Sequence, residues 1–527
     1  MSYRSLYTAA QVRELDRIII EKFSISGYEL MQRAGSFSYS VLNKYFPRAF
    51  SIYVFCGRGN NAGDGYVLAK LAIEDDKYDR KVIVINCFNP EKLEGDAKTA
   101  YQDLVTTKYD KEKVEIWNHS DLRKKNPAVI SSVYVDAIFG TGLTRDINDE
   151  NLVRTIELLN NHNMMISDEQ GLLSIDIPSG LNADTGSVMG VAVNSNVTAT
   201  FMGHKRGMFT HDGCEYSGQI EFNNLDIPLK SYDDLGDSYC YLTHYYDSAY
   251  DVLVRRKRNA HKGHFGHVLV IGGDEGYLGA AQMAAEAAMR VGSGLVSVAT
   301  RKSHAAQLST AVPEIMSHGV ETLDELMPLI KRANVIAIGP GLGQSEWAKL
   351  LFARVLESDL PIIIDADGLN LLAEEEQSSP NWVITPHPGE AARLLKTDVA
   401  TIQSDRFQSA RNLHEKYQGP VVLKGAGSIV TNLKGRLFVC SEGNPGMSTG
   451  GMGDVLTGVI AGLVAQGTDT EWVKQAGVVT EWATQVGVVM HARAGDMAAF
   501  DEGERGMIAT DLMPYLRELS NELSNID

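Results

Sequence analysis

Apolar, β-branched runs of residues alternate with helix-like segments along almost the whole chain. Continuous apolar runs that are bounded by Gly, Pro or Asp are typical of strands in a parallel sheet that is covered on both faces. The repeated order of strand, helix, strand and helix therefore predicts an α/β architecture with doubly wound parallel sheets.

The first half of the sequence carries one such alternation. Its predicted strands are residues 51–56, 82–87, 133–138, 172–177 and 197–202. Its predicted helices are residues 66–74, 95–106 and 152–160. We expect these elements to form one doubly wound α/β domain over residues 1–230.

The second half starts a new alternation, which predicts a second α/β domain over residues 252–527. Its predicted strands are residues 267–271, 295–299, 335–338, 361–365, 382–385, 421–424, 428–431 and 436–440. Its predicted helices are residues 278–291, 305–310, 323–332, 346–356, 390–395, 405–417, 454–465 and 472–494. Between the two alternations Tyr, Asp and Ser dominate, and we interpret residues 231–251 as an acidic surface linker. The basic cluster at residues 255–258 is interpreted as a solvated charged face.

Composition limits the classes of partner. The chain has 527 residues, 44% hydrophobic and 22% charged, which is typical of a soluble globular protein with two or three domains. A net charge of -18 disfavours nucleic acid and anionic membranes as partners, because both require basic patches. The five cysteines form no CxxC pair, so neither a zinc site nor a disulfide framework is indicated. The sequence shows no secretory signal and no bilayer-length apolar stretch, so we expect a cytoplasmic protein.

A glycine-dense loop at residues 444–454 is the most informative motif. It reads NPGMSTGGMGD and runs into an apolar, helix-like stretch. Glycine lets backbone N–H groups converge on one point, and a helix N-terminus adds partial positive charge there. Such a loop can hold a phosphoryl group, with Asp454 beside it as a base for the accepting hydroxyl. Alternatively, Asp454 is only a helix cap or a partner of the helix dipole.

Five further glycine-rich or polar loops follow predicted strands of the second half. They are residues 272–280, 339–343, 365–370, 385–390 and 424–428. Open α/β sheets bind ligands at the carboxyl ends of their strands. Each loop alone is explained as well by a turn, but the set indicates a binding site. Neither a Walker A motif nor the protein-kinase motifs are present, so a phosphoryl transfer would use another scaffold.

The motifs GGDEGYLGAA, GPGLG, DADGLN, TPHPGE, LKGAGS and NPGMSTGGMGDVLTG together closely resemble the dehydratase domain of the NAD(P)H-hydrate repair enzymes. The resemblance spans residues 252–516 and implies a ribokinase-like α/β fold. It also implies a metabolite-repair reaction. Members of that family phosphorylate the hydroxyl of a hydrated coenzyme, NAD(P)HX, and then eliminate phosphate to restore NAD(P)H.

This resemblance assigns roles to particular residues. Asp454 would take the proton from the hydrate hydroxyl, and the amides of Gly451 and Met452 would form the anion hole. The implied nucleotide contacts are Lys424, Gly425, Ala426, Gly427, Ser428 and Gly453. The implied hydrate contacts are Ala280, Gly341 and His387. His387 lies between two prolines, so its alternative role is to rigidify a loop. Mg²⁺ is expected with the nucleotide, through water near Glu390, although no residue cluster fixes it.

The loop after the first predicted strand, residues 57–65, reads GRGNNAGDG. Its third glycine comes one position late for the dinucleotide fingerprint GxGxxG, which disfavours a hydride-transfer domain. Its Asn and Asp side chains can instead bind a monovalent cation or a sugar. Residues 136–145 and 174–182 follow two later strands, so three polar strand ends are predicted to meet at one crevice.

These three loops and the segment GYELMQRAG at residues 27–35 resemble the NAD(P)H-hydrate epimerase domain, over residues 7–229. The resemblance implies a Rossmann-like fold and a K⁺ site at Asn61, Asp136 and Ser179. The implied hydrate contacts are Asn60, Asn61, Ala62, Gly63, Asp64, Gly140, Thr141, Gly142, Leu143, Thr144, Arg145, Asp146 and Asp176. Asp176 is the candidate acid and base, and a passive hydroxyl acceptor is the alternative. The family has Gly where this chain has Ala62, which costs about 1 kcal/mol if that site requires a positive φ.

Together the two resemblances imply a bifunctional lyase and isomerase. Water adds to the coenzyme ring from either face, so an epimerase would interconvert R- and S-NAD(P)HX and a dehydratase would act on the S epimer. The fused arrangement resembles prokaryotic members, which favours ADP over ATP as the donor, with AMP and phosphate as products. We expect a homo-oligomer, of which a tetramer is one form, and no nucleic-acid or membrane partner.

Two other classes of function stay open from the sequence. The first is a ribokinase-type kinase that releases a stable phosphoester, with the first domain as a regulatory nucleotide binder. The second is a non-enzymatic binding module that uses the first domain as a protein-interaction surface. The presence of Asp454 and Asp176 argues against the second class, because binding alone does not need them.

Overall fold

A seven-stranded parallel sheet forms the centre of the first part of the chain. The computed structural model describes residues 4–108, 112–125, 127, 130–162, 167–249, 253, 255–467 and 479–522. The chain divides into two compact units, Met1–Tyr241 and Leu242–Asp527. Each unit has its own parallel sheet and its own buried core.

The first unit contains nine strands and seven α-helices within its described residues. Strands β1 to β9 are Leu6–Tyr7, Ser51–Cys56, Lys81–Asn86, Val114–Asn118, Ser132–Ala137, Gly171–Ile175, Val197–Phe201, His204–Lys205 and Gln219–Asn223. Helices α1 to α7 are Ala9–Phe23, Gly27–Tyr45, Asn60–Glu74, Gly95–Thr106, Glu150–His162, Gly213–Tyr216 and Lys230–Leu235.

The large sheet of this unit has the strand order β4-β3-β2-β5-β6-β7-β9, and neighbouring strands are parallel. Strand β2 is buried at every position, and its alternate residues belong to two different apolar cores on the two faces of the sheet. The strand order reverses between β2 and β5. The loops after these two strands therefore lie at a topological switch point, where open α/β sheets bind ligands.

The second unit is built on two sheets. Strands β10 to β19 are Cys240–Thr243, which contains the unit boundary, His267–Ile271, Leu295–Thr300, Met316–Gly319, Val335–Ile338, Ile362–Ile364, Trp382–Ile384, Val422–Leu423, Ser428–Thr431 and Leu437–Cys440. Helices α8 to α19 are Tyr245–Ala249, Leu278–Arg290, Lys302–Ala311, Leu323–Ile330, Glu346–Leu356, Asp367–Leu372, Pro388–Leu395, Val399–Ser404, Arg406–Tyr417, Met452–Gly467, Val479–Glu502 and Leu512–Glu522.

A six-stranded parallel sheet in the order β13-β12-β11-β14-β15-β16 is the larger of the two. Its strand order reverses between β11 and β14, which creates a second switch point. The smaller sheet has the order β10-β19-β18-β17, and its last three strands are antiparallel neighbours. A bridge between Ile384 and Val421 joins the two sheets at their adjacent edges.

Helix α17 is packed deep in the second unit against helix α9. Gly458 makes this approach close, since a Cβ at that position would lie 2.0 Å from the carbonyl oxygen of Ala284. Most of α17 is buried, from Val455 through Ala465. This packing fixes the position of the helix N-terminus, which follows the glycine-rich loop.

The prediction of a surface linker over residues 231–251 is wrong for the part that the structure describes. Helix α7 occupies its start, and Tyr232 of that helix is buried and donates a hydrogen bond to the carbonyl oxygen of Met202. Strand β10 and helix α8 follow, and Tyr245 of α8 is fully buried. Tyr232 and Tyr245 belong to apolar cores, whereas Tyr239 and Tyr246 are exposed.

The predicted strands of both halves are confirmed, most of them to within two residues at each end. The elements that were missed include α1, α2, β4, β9 and β13. Predicted helix 472–494 is observed as Val479–Glu502, and residues 472–478 lie outside the described residues. Within the described ranges, none of the helices combines the length and the apolar character needed to cross a bilayer.

Two candidate active sites

The glycine-rich loop of the second unit ends at the start of α17. Gly451 has φ +95°, in the left-handed region that favours glycine, and the helix begins at Met452. Asp454 is half-buried in the first turn. The first amides of a helix have no partner within the helix, and its dipole favours an anion there. The loop therefore has the geometry of an anion cradle with a carboxylate at its edge.

Asp454 belongs to a cluster of acidic residues around Lys424. Nζ of Lys424 donates to Oδ1 of Asp365 at 2.7 Å and lies 3.7 Å from Oε2 of Glu390. Oγ1 of Thr457 donates to Oδ2 of Asp365 at 2.9 Å, which ties the cluster to α17. Burial opposes the charge on Lys424, but Asp365 and Glu390 outweigh it and raise the pKa of Lys424.

Two carboxyl groups of this cluster titrate near neutrality. Burial raises the pKa of Asp454 to about 7, with the charge of Asp365 adding to the effect and Lys424 opposing it. Burial also raises the pKa of Glu390 to about 7, with Lys424 opposing and Asp365 adding. A carboxyl group whose pKa lies near the working pH is suited to accept a proton from a hydroxyl.

The loops after β11 and β14 bring two predicted substrate residues together. The amide of Asp274 donates to the carbonyl of Gly341 at 2.7 Å, and Gly341 has φ +58°. A Cβ on Gly341 would lie 3.2 Å from the Cβ of Ala280. Asp274 is held in turn by Nε of Arg301 and Oγ of Ser345, each at 2.7 Å. This support of the two loops was missed by the sequence analysis, because Arg301 lies outside any motif.

The predicted nucleotide loop, residues 424–428, is a tight turn between β17 and β18. Gly425 and Gly427 have φ +142° and +61°. Arg406 is buried beneath it and donates to the carbonyl oxygens of Leu423 and Lys424 at 3.2 and 3.3 Å. A Cβ on Gly453 would lie only 3.2 Å from Nζ of Lys424, so this loop meets the anion cradle.

His387 has a structural role in the fold, which the sequence left open as the alternative to ligand binding. It is the N-cap of helix α14, where its Nδ1 accepts a hydrogen bond from the amide of Gly389 at 2.9 Å. Its own amide donates to Oε2 of Glu390 at 2.8 Å. The side chain is 51% exposed, so its outer ring edge is open to a ligand. The ligand role of His387 stays a prediction.

In the first unit, a cavity of about 1020 Å³ opens where the loops after β2, β5 and β6 converge. Most of the predicted hydrate contacts line it, namely Asn60, Asn61, Asp64, Gly140, Thr141, Gly142, Leu143, Thr144, Arg145, Asp146 and Asp176. Ala62 and Gly63 do not line it. Their amides donate to the carbonyl of Gly59 inside α3, and the φ of Ala62 is not positive. The prediction that these two residues face a ligand therefore finds no support.

The three residues predicted to bind K⁺ meet below this cavity. Asp136 is fully buried and accepts from the Oγ and the amide of Ser179, at 2.6 and 2.8 Å. Nδ2 of Asn61 donates to the carbonyl of Phe139 at 3.0 Å, whereas its Oδ1 is buried with no hydrogen-bond partner among the described residues. Burial raises the pKa of Asp136, and hydrogen bonds from Ser179 and Ser174 oppose that shift. Buried oxygen atoms around an unpartnered carbonyl fit a weakly hydrated cation.

Asp176 has a strained backbone and a buried ammonium partner. Its φ is +67°, and its amide donates to the carbonyl of Ala199 at 2.8 Å. A non-glycine residue held in this region costs about 1–3 kcal/mol and is typical of functional sites. Nζ of Lys205 donates to Oδ1 of Asp176, to Oγ1 of Thr200 at 3.0 Å and to the carbonyl of Phe201 at 3.1 Å. Lys205 is fully buried.

Two further carboxyl groups face this pair. Burial raises the pKa of Asp16 to about 6, with the charge of Asp176 adding and Lys205 opposing. Burial, Asp176 and Asp16 raise the pKa of Asp64 well above its ordinary value, against the effect of Lys205. Asp16 and Asp64 both line the cavity.

Comparison with known proteins identifies the family of both parts of the chain. A family model described as NAD(P)H-hydrate dehydratase matches residues 268–518, and one described as YjeF-related protein N-terminus matches residues 27–207. The bifunctional NAD(P)H-hydrate repair enzyme of Coxiella burnetii is 43% identical over 98% of this chain and 99% of the relative. That of Escherichia coli is 37% identical over 98% of this chain and 94% of the relative. A solved Bacillus subtilis ADP/ATP-dependent NAD(P)H-hydrate dehydratase, co-crystallised with ATP and Mg²⁺, is 27% identical, with 53% of this chain and 96% of that chain covered and a TM-score of 0.45.

The chain belongs to the bifunctional NAD(P)H-hydrate repair enzymes. It is an enzyme with an N-terminal epimerase domain and a C-terminal dehydratase domain. The predicted fold class is confirmed as far as two α/β domains, each built on a parallel sheet whose strand order reverses. Family membership favours coenzyme repair over the rival kinase that releases a stable phosphoester.

Sequence reasoning missed two charged residues of the epimerase domain, Asp16 and Lys205. Asp16 carried a usable signal, because it interrupts the apolar face of a helix that starts with a capping box at Thr8 and Gln11. Lys205 follows the apolar strand β7 closely, and a lone lysine in such a place indicates a buried ion pair.

We predict that Lys205→Met destabilises the epimerase domain by about 3 kcal/mol, because it leaves buried carboxylates unpaired. The loss of unfolding free energy should be largest above the pKa of Asp16, which is about 6. It should be smaller at pH 5, because Asp16 is then protonated in the folded protein. Urea unfolding at pH 5 and at pH 8 measures the destabilisation at each pH. Lys44→Met is the matched control, because Lys44 is an exposed partner of Glu221, and it should change little. Equal losses for Lys205→Met at both pH values would contradict the electrostatic explanation.

Proposed function

We propose that the dehydratase domain phosphorylates the hydroxyl of S-NAD(P)HX with ADP as the donor and then eliminates phosphate, giving NAD(P)H and AMP. The observation that carries this proposal is the position of Asp454 in the first turn of α17, directly after the Gly451 turn. Phosphorylation converts hydroxide, a poor leaving group, into a good one. The ring nitrogen then supplies the electron pair that expels it.

In this mechanism Asp454 accepts the proton of the hydrate hydroxyl as that oxygen attacks the terminal phosphorus. The amides of Gly451, Met452 and Gly453 hold the negative charge that develops on the transferring group. Lys424 lies beside Gly453, where its ammonium can balance the same charge. The GPGLG loop with Gly341, the neighbouring Ala280 and the open edge of His387 are proposed to hold the hydrate.

An adenine nucleotide with Mg²⁺ is the proposed co-substrate. The predicted nucleotide loop meets the anion cradle at Gly453, which supports a phosphorylated ligand at that point. In the described part of this chain, no group of three or more His, Cys, Asp or Glu side chains is arranged to hold a metal ion. The carboxylate oxygens near the anion cradle suit Mg²⁺, and we propose that Glu390 holds it through water while the phosphates complete its ligands. The ion would neutralise charge on the phosphates.

For the epimerase domain, we propose that Asp176 is the acid and base that interconverts the R and S epimers. Asn61, Asp136 and Ser179 are proposed to hold K⁺ below the cavity, where the free Oδ1 of Asn61 offers an oxygen ligand. The cation would fix the loops after β2, β5 and β6 around the hydrate. The domain would then supply the S epimer to the dehydratase.

The reaction itself can be tested with racemic NADHX, Mg²⁺ and K⁺. With ADP, near-ultraviolet absorbance should return to the full amount of both epimers, and ATP should support a slower recovery. Replacing K⁺ by tetramethylammonium should restrict the fast recovery to the S fraction. A stable phosphorylated coenzyme without recovered absorbance would instead identify the kinase that releases its product.

The two catalytic assignments predict that each variant loses one activity and keeps the other. Asp454→Asn should reduce dehydration at least about 100-fold and leave epimerisation intact, because a general base typically contributes that much. Asp176→Asn should reduce epimerisation by a similar factor and leave dehydration of pure S epimer intact. Glu346→Gln is a control, since Glu346 is an exposed acid in the first turn of α12. Loss of both activities in either variant would show that the division of work between the domains is wrong.

The raised pKa of Asp454 predicts the pH dependence of dehydration. A base works only when ionised, so kcat/KM should fall as the pH drops through about 7. Asp365→Asn removes a charge that raises the pKa of Asp454, so the acidic limb should move to lower pH. The measurement is kcat/KM for S-NADHX from pH 5.5 to 9 in both proteins. A limb that does not move in Asp365→Asn would contradict the assignment of that limb to Asp454.

A further inference from the structure

Helix α1 presents a carboxyl group to the epimerase cavity. Val12, Asp16 and Ile20, spaced by four residues along one side of the helix, all line the cavity. The side chain of Asp16 makes no hydrogen bond and no ion pair with any other residue in the described part of the chain. A half-buried carboxyl group that is left without a partner and faces a ligand cavity has no evident role in holding the fold together.

The charges around Asp16 do not balance when every group is ionised. Asp16, Asp64 and Asp176 are near enough to interact, and Lys205 is the ammonium among them, bound directly to Asp176. Three negative charges and one positive charge in a largely desolvated space are costly, so a carboxyl group retains its proton instead. The pKa of Asp16, raised by burial to about 6, makes it a carboxyl group that can donate a proton near neutrality.

The chemistry of epimerisation calls for such a donor. In the hydrate, the inverted carbon carries the hydroxyl and is bonded to the ring nitrogen, whose lone pair can expel a leaving group. Hydroxide leaves poorly, whereas water leaves well, so the hydroxyl has to be protonated as the C–O bond breaks. Return of water to the other face then requires a base. One carboxylic acid and one carboxylate satisfy both requirements.

We propose that Asp16 is a catalytic residue of epimerisation, the general acid that protonates the departing hydroxyl of NAD(P)HX while Asp176 acts as the base. This inference rests on the proposed role of Asp176. The proton of Asp16 passes to the hydroxyl oxygen, the C–O bond breaks with its electron pair on the departing water, and the nitrogen lone pair forms a C=N⁺ bond. Water then forms a new C–O bond on the opposite face, the C=N pair returns to nitrogen, and Asp176 takes the released proton. Proton exchange with solvent restores both groups, and no oxidation occurs.

The position of Asp176 fits the second half of this scheme. Its Oδ1 accepts from Lys205, so the other oxygen stays available to a ligand. That Oδ2 lies 3.2 Å from the position of a Cβ on Gly140, at the edge of the loop that lines the cavity. Asp16 comes from α1 and Asp176 from the end of β6, so the two carboxyl groups reach the cavity from separate elements.

Other charged residues also line the cavity. They are Arg13 on the same helix and Arg58, Asp64, Asp96, Arg145, Asp146, Asp149 and Asp176 on other elements, with Lys205 behind Asp176. Of these, the charges of Asp176 and Lys205 dominate the shift in the pKa of Asp16, after burial itself. Substituting Asp16 removes its proton and also removes the charge with which Asp16 raises the pKa of Asp64, so Asp64→Asn is measured beside it.

The test uses the full-length chain and R-NADHX, with S-NADHX as the internal control for the dehydratase. Asp16→Asn should lower kcat/KM for epimerisation at least about 100-fold, after subtraction of the uncatalysed rate, and leave dehydration of S-NADHX unchanged. Asp16→Glu should recover part of the loss. Glu14→Gln, on the same helix but exposed and outside the cavity, should have no effect. Normal epimerisation by Asp16→Asn would overturn the proposal. A large loss of epimerisation in Asp64→Asn that is absent in Asp16→Asn would also overturn it.

Two measurements on the unmodified enzyme keep the proposal testable should a variant fail to fold. Epimerisation should decline as the pH rises through the pKa of Asp16, and a rate that stays constant from pH 5 to 8 would contradict an acid of that pKa. In H₂¹⁸O, each inversion should place one solvent oxygen on the product. Inversion with retention of ¹⁶O would exclude C–O cleavage and overturn the inference.

If Asp176→Asn still catalyses epimerisation while Asp16→Asn does not, the proposed role of Asp176 fails and that of Asp16 stands.

Discussion

An ion pair between a lysine and a carboxylate, formed beside other carboxyl groups, is the interaction on which both sites depend. Lys205 donates to Asp176 in the epimerase domain, and Lys424 donates to Asp365 in the dehydratase domain. Neither cluster could be desolvated without its ammonium, because buried carboxylates repel each other strongly. Each lysine compensates only part of the negative charge around it. Of the carboxyl groups left over, Asp16 and Asp454 have their pKa values raised to about 6 and about 7, and the pKa values of Asp64 and Glu390 are raised as well.

The sheets explain why these charges can be buried at all. The carboxyl ends of parallel strands gather loops from distant parts of the chain, so Asp365, Glu390 and Lys424 follow three different strands and still meet. Helix packing supplies the rest. Gly458 of α17 lies in close contact with α9, which fixes the position of α17. The first turn of α17 brings Asp454 to the edge of the same cluster. The result is a polar group of side chains on a rigid apolar support.

Local features of the sequence predicted most of the strands and the glycine loops, because strand periodicity and turn chemistry act over a few residues. The partners of the charged groups were beyond such reasoning. Lys205 pairs with Asp176, 29 residues away, and it lies in strand β8, which pairs with the distant strand β1. Asp16 reaches the cavity because α1 packs on the domain, which no local pattern specifies. Composition also misled the interpretation of residues 231–251, where Tyr232 and Tyr245 are buried in apolar cores.

Two of the leftover carboxyl groups place opposite demands on pH. On the proposed assignments, epimerisation uses the protonated form of Asp16, which is lost as the pH rises through about 6. Dehydration uses the ionised form of Asp454, which is lost as the pH falls through about 7. Conversion of the R epimer to coenzyme needs both steps in series, so its pH range is bounded by one domain on each side. A chain tuned in this way repairs both epimers best close to neutrality, where neither carboxyl group is fully in its inactive form.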